Sequence, residues 1–399
     1  MYRLAVFLAL LCGAIGACAS TGEGDAVARG NALTRAKKEG ARLLAVGDTA
    51  AAVAKLESLA RVASADPQVF VLLGRAYAGL GRDSDAVKVL EQAIRLRYES
   101  AEAHLTLGTQ LMREGRTGRA RTELELALRF APNDPLVHYN YGVAMNRLGH
   151  HAVARHHWRI AWRLAPGQAR FAAAVGIGLT GSSPRRALAA FAAAESLGAS
   201  GPVFANNYGL ALLADGRADS AAARFAIAVA ESPESETYRF NRAGALMQAG
   251  RFVDATDEWK EMERRFGRRW SYSVYCARAL VERKRYEDAA NLLKPVVLKA
   301  DRAVRARHAP VFDRSPPTLD EAFDILALAE RGRGNKDAAL GYARRAVELA
   351  PTVPERLINY GVILAENGML ARAREQWRRV LQIDPKNPVA RKNLSASTP

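Results

Sequence analysis

The sequence predicts an all-α solenoid of about ten helix-turn-helix units, and three phased observations carry the prediction. A 34-residue period starts at Leu33, Pro67, Ala101, Pro135, Ala169, Pro202, Glu236, Trp270, Asp320 and Pro354, the fifth unit being 33 long. Its eighth place is always Gly or Ala: Gly40, Gly74, Gly108, Gly142, Gly176, Gly209, Ala243, Ala277, Ala327 and Gly361. Its twentieth place is always Ala, from Ala52 to Ala373, with Ala187 one residue early. Two antiparallel helices crossing at such places approach closely, because nothing beyond a methyl group stands between them.

The punctuation agrees with this phase. Between the two helices of a unit fall Gly47, Gly81, Gly115, Gly149, Gly216, Gly250, Gly334 and Gly368, where a positive φ costs glycine nothing. Units close on Pro132, Pro166, Pro233, Pro351 and Pro385, which stop the second helix. The twenty-fourth place carries the large residues Leu90, Leu124, Trp158, Phe225, Trp259, Leu293 and Trp377, read as core facing neighbouring helices. At 399 residues the chain exceeds what one compact core accommodates, so a solenoid resolves the size problem.

Along the chain, residues 1–17 read as an export signal: Arg3, an apolar stretch from Leu4 to Leu11, then small residues. That stretch is shorter than the ~20 residues a spanning helix needs. Residues 18–32 read as a flexible tether, 33–303 as repeats 1–8, and 320–387 as repeats 9–10. Between them, 304–319 form a basic, proline-containing insertion, the register breaking from Lys299 onward, after which Thr318 with Glu321 is expected to cap the next helix. Residues 388–399 form a short cap on the last unit. Gly176 and Gly178 within one helix make the fifth unit the expected weak joint.

Charge and motifs narrow the function. Without residues 1–17 the chain holds 57 basic against 41 acidic residues, a net +16 that suits an acidic partner or an anionic surface. The export signal argues against nucleic acid, and the arginines are spread along the chain rather than gathered in a run. Cys12 lies in the signal, so Cys18 and Cys276 give no internal disulfide if Cys18 is modified. Gly176 to Gly181 matches G-x-G-x-x-G but follows no strand, so dinucleotide binding is not expected. His150, His151, His156 and His157, with His138 earlier, lack the three- or four-residue spacing of a helical metal pair across the gap, so neither a metal nor another cofactor is expected. Cys276 falls at a packing place with no base beside it, and the repeats leave no room for a catalytic domain, so no enzyme is expected.

These Gly, Ala and Pro marks resemble the tetratricopeptide repeat. That resemblance implies a right-handed superhelix whose first helices line a concave groove at places two, five, six, nine and twelve. The groove residues so implied include Arg75, Tyr139, Asn140, Val143, Asn207, Leu210, Phe240, Asn241, Arg278 and Asn359. An Asn carboxamide both donates and accepts, which suits a peptide backbone, while Tyr139 and Phe240 offer apolar anchors. Ile15-Gly16-Ala17-Cys18 resembles the lipobox of bacterial lipoproteins, implying a lipid on Cys18, and Ala19 rather than Asp implies the outer membrane, periplasmic side. The runs Asn140-Tyr141-Gly142, Asn207-Tyr208-Gly209 and Asn359-Tyr360-Gly361 resemble type IV pilus biogenesis lipoproteins, and Asn207 to Ala255 resembles the TadD lipoproteins of tight-adherence pili. The function implied is a non-catalytic scaffold taking a protein or peptide ligand, acidic by charge balance, among pilus or secretion components. The alternative is a general envelope adaptor that recruits peptidoglycan or outer-membrane assembly proteins.

Overall fold

In the computed structural model, residues 30–267, 270–305 and 317–397 are described, with the side chains of 303–305 left out. The export signal, Cys18, most of the tether and most of the 304–319 insertion lie outside the described residues. Every regular element among the described residues is a helix. None of those helices is long and apolar enough to cross a membrane.

The chain divides into two compact units, one ending at Ala199 and the other beginning at Ser200. In the first, α1 (30–45), α2 (Thr49–Val62), α3 (Pro67–Gly79), α4 (Asp83–Leu96), α5 (Ala101–Arg113), α6 (Thr117–Phe130), α7 (Pro135–Arg147), α8 (His151–Leu164), α9 (Ala169–Leu179) and α10 (Pro184–Ser196) pair successively into five hairpins. In the second, α11 (Pro202–Ala214), α12 (Ala218–Glu231), α13 (Glu236–Gln248), α14 (Phe252–Phe266), α15 (Trp270–Glu282), α16 (Tyr286–Arg305), α17 (Leu319–Gly332), α18 (Lys336–Leu349), α19 (Pro354–Glu366) and α20 (Leu370–Ile383) do the same, and α21 (Pro388–Ala396) lies on α20. The hairpins are the ten units read from the sequence, with residues 30–32 already helical rather than tether.

Local chemistry sets the ends. Asp66, Asp134 and Ser235 accept hydrogen bonds from the first-turn N–H groups of α3, α7 and α13. All eight glycines of the intra-hairpin turns have φ between 72° and 82°. Lys284 takes that place in the eighth hairpin with φ 59°, a conformation disfavoured for a side-chain-bearing residue.

The crossing places explain the small residues. A Cβ built on Gly74 would lie 2.6 Å from Leu90, one on Gly108 2.6 Å from Leu124, and one on Gly142 2.6 Å from Trp158. The eighth place therefore meets the twenty-fourth place of its own hairpin, and the large residue packs inside the hairpin. Ala243 and Ala277, both fully buried, stand in the same core as Trp259 and Leu293. The alanines of the twentieth place are buried in all ten hairpins. A larger side chain at such a crossing costs about 1–3 kcal/mol.

Three sequence expectations change in detail. The fifth hairpin does have the shortest first helix, α9 at 11 residues, yet both its glycines are there for packing. Gly176 sits against Phe191, and Gly178 makes room for Arg155 and Trp158. In the eighth hairpin the helix itself does not end at Lys299, for α16 runs 20 residues through an internal Pro295. The place where other units carry the stop proline holds Asp301 instead, which pairs with Arg345 at 2.7 Å. Thr318 occupies the N-cap of α17, but its side chain makes no cap bond, and Glu321 pairs with Arg278.

Candidate functional site

First helices stacked in register bring their places two, five, six and nine to one side. In the first unit this side forms a groove of about 560 Å³ across α3, α5, α7 and the start of α9. Arg75, Tyr139 and Asn140, expected from the sequence, line it together. Joining them are Thr109, Arg113 and Arg170, which the sequence reading did not single out.

Most polar groups of the groove are held by the fold on one side. Arg113 donates to the Ala78 carbonyl at 3.0 Å, as Arg147, one repeat on, donates to that of Met112 at 2.7 Å, so each arginine ties its hairpin to the preceding one. Gln110 donates to Asp83 at 2.6 Å, and the hydroxyls of Thr106 and Thr109 donate to carbonyls one turn back. Asn140 donates to the Leu136 carbonyl at 2.9 Å, leaving its own oxygen to accept. Tyr139 leans on Phe171, and Arg170 stacks over that same ring at 5.0 Å. Exposed Arg75 has no hydrogen-bond or ion-pair partner among the described residues, and Glu102 is the one acid lining the groove. The result is a rigid floor carrying free positive charge at two edges. Val143, by contrast, is half-buried against two core clusters and serves packing.

The second unit uses its corresponding residues differently. Asn241 donates to Asn206 at 2.7 Å, and Asn359 donates to both oxygens of Asp324, at 2.9 and 3.1 Å, each across a repeat boundary. Arg278 pairs with Glu321, while Phe240 packs edge-on against Trp259 and Tyr275. Asn207 is bonded to the Val203 carbonyl at 2.9 Å, and Leu210 is exposed. Phe240 keeps 37% of its surface in solvent and remains an apolar contact point.

The other sequence signals resolve as structure. Gly176 and Gly178 lie inside α9, so the G-x-G-x-x-G match presents no phosphate-cradling turn. Among the described residues no three His, Cys, Asp or Glu are grouped to hold a metal ion. His138 and His157 instead form a buried joint, Nδ1 to Nδ1 at 2.9 Å, with His138 Nε2 at 2.9 Å from the Pro132 carbonyl. The preceding hairpin builds that joint from His104 and Glu123 at 2.8 Å, and the seventh from Arg239 and Glu258 at 2.8 Å. Only the fourth hairpin lacks the acid among these three. Burial, then the neighbouring His138 and His156, pull His157 down to about 4. Burial likewise pushes the Cys276 thiol up to about 11, which makes it a poor nucleophile.

Stacked hairpins with small-residue crossings define a helical-repeat protein. The tetratricopeptide-repeat profile matches residues 72–135, 207–273 and 326–388, so the hairpins of those segments are tetratricopeptide repeats. Such repeats are protein-interaction modules, and the chain is a protein-interaction scaffold in that coarse sense. No curated protein matches the sequence. Among solved structures, PilF of Pseudomonas aeruginosa is similar at 17% identity over 54% of this chain and 99% of its own, with a TM-score of 0.49. A tetratricopeptide-repeat protein of Parabacteroides merdae is similar at 14% identity over 66% of this chain and 98% of its own, with a TM-score of 0.45. YrrB, described as having an unusual peptide-binding site, is similar at 16% identity over 46% of this chain and 94% of its own, with a TM-score of 0.38.

Proposed function

We propose that this protein is a non-catalytic envelope scaffold that docks a carboxylate-bearing peptide segment of a partner in the first-helix groove of its first unit. The observation that carries the reading is the placing of Arg75 and Arg170, neither in an ion pair among the described residues, beside Tyr139 and Asn140 on a floor where Thr106, Thr109, Gln110 and Arg113 are already bonded. Floor groups held in this way need little reordering when a ligand binds. The export signal and the lipobox-like Ile15 to Cys18 support a lipid anchor on Cys18 at the periplasmic face of the outer membrane. The three Asn-Tyr-Gly runs favour a pilus or secretion component as the partner.

The test is co-purification from envelope extracts with the charges reversed, Arg75→Glu with Arg170→Glu. The reading expects an envelope protein to accompany the native chain and to be lost from the variant, while far-ultraviolet circular dichroism stays unchanged. Retention of the same partner by the folded variant would refute the groove. Cys18→Ser should move the protein from membrane to soluble fractions, and continued sedimentation with membranes would refute the anchor.

A further inference from the structure

A second groove, of about 840 Å³, lies on the other set of helices in the first unit. Arg159, Trp162 and Arg163 of α8 form one wall, and Arg186, Ala189 and Ala193 of α10 the other. Trp162 and Leu179 are half-buried on the core beneath, giving an apolar floor. The three arginines are exposed, and none has a hydrogen bond or ion pair among the described residues.

The surrounding sequence explains why they are free. From Pro135 to Ala194, 60 residues, there is no Asp or Glu, although the chain average of 41 in 399 would place about six there. The same stretch holds seven arginines, so it alone supplies +7 of the formal +17. Spread arginines thus become a positive surface because acids are missing, and not because arginine is dense.

We propose that this second-helix groove docks an acidic amphipathic helix of a partner protein, a surface separate from the first-helix groove. Arg159 and Arg163 are one helical turn apart, the spacing at which a partner helix presents carboxylates at i and i+4. Arg186 faces them from the opposite wall, and an apolar side chain between the carboxylates fits the Trp162 and Leu179 floor. The low alanine wall of α10 lets the incoming helix approach closely. Lining from Arg186 to Leu197 spans ~16 Å at 1.5 Å per residue, enough for about three turns of partner helix. An apolar floor offers nothing to a phosphate backbone, which sets a protein helix above nucleic acid as the occupant.

The test is fluorescence anisotropy with the full-length protein and a labelled 14-residue helical peptide carrying Glu at i and i+4 around Leu. The expected results are binding that weakens with added salt, at least tenfold loss in Arg159→Gln with Arg163→Gln and Arg186→Gln, and similar loss in Ala189→Trp, which fills the groove without changing charge. Arg75→Gln, in the other groove and outside the core under Trp162, should alter affinity less than twofold, so this proposal and the previous one fail independently. No binding by the native protein, equal binding by the triple variant, or tighter binding of a 14-mer oligothymidylate or phosphatidylglycerol vesicles lost in that same variant would each overturn the proposal.

Discussion

Hairpins 4 and 5, in the first unit, and hairpins 9 and 10, in the second, share one packing scheme and differ in whether their arginines meet acids. In hairpins 9 and 10, Arg356 bonds Asp320 and Asp324 at 3.0 and 3.1 Å, and Arg331 pairs with Glu366, each across a repeat boundary. In hairpins 4 and 5 no acid lies between Pro135 and Ala194, and Arg159, Arg163 and Arg186 face solvent without partners among the described residues. Arginine in the first case fastens one repeat to the next, and in the second is left for something outside the chain. The charge balance of a repeat protein therefore has to be read repeat by repeat.

The largest expected effect breaks the fastened region. Arg356→Ala removes the paired cation from Asp324, which is only 5% exposed and otherwise held by Asn359, and should cost about 3 kcal/mol in chemical denaturation followed by circular dichroism. Next, Gly142→Leu should cost about 1–3 kcal/mol by driving into Trp158, and this penalty should be matched by Gly361→Leu against Trp377, because the crossing is common to both regions.

Smaller, and opposite in sign between the regions, is the response to pH. His157 sits at about 4 against an ordinary 6.5, so the unfolded chain binds the proton more readily. Stability around hairpin 4 is therefore full above pH 6.5 and lost as pH falls toward 4. After solvent screening the effect should be of order 1 kcal/mol, and His157→Glu, copying Glu123, should flatten it. Asp324 sits at about 6 against an ordinary 3.8, raised by burial against the opposing pull of Arg356. There the folded chain holds the proton more readily, so stability falls as pH rises from 4 to 6. Hydrogen exchange at pH 4.5 and 6.5 should show hairpin 4 opening more at the lower pH and hairpin 9 at the higher. The smallest effect belongs to Arg163→Ala, which should change stability by less than ~0.5 kcal/mol, since nothing in the fold leans on its charge.

Much of the fold was legible because repeat geometry imposes residue size. Gly142 has to be small against Trp158, and Gly149 has to reach φ 81°, so each leaves a mark that repeats. The length of α16 was harder to read, since it follows from a proline missing at Asp301 rather than from a residue present. The groove was half legible. Tyr139 and Asn140 stand out by type, whereas Thr109, Arg113 and Arg170 are ordinary residues made important by their register. Asn241 and Asn359 look available in sequence, but partners 35 residues back engage their amides. The basic surface is not legible in the arginine positions alone, because spread arginines look solvated unless the absence of acids around them is counted as well.

The most direct test of the scaffold reading places a photoreactive benzoylphenylalanine at Thr109, inside the first-helix groove, and at exposed Gly118 on α6 as a control, in the native cells. A light-dependent adduct with one discrete polypeptide at Thr109, and none at Gly118, is the predicted result. A folded Thr109 variant that gives no adduct, or the same adducts as Gly118, would contradict the account.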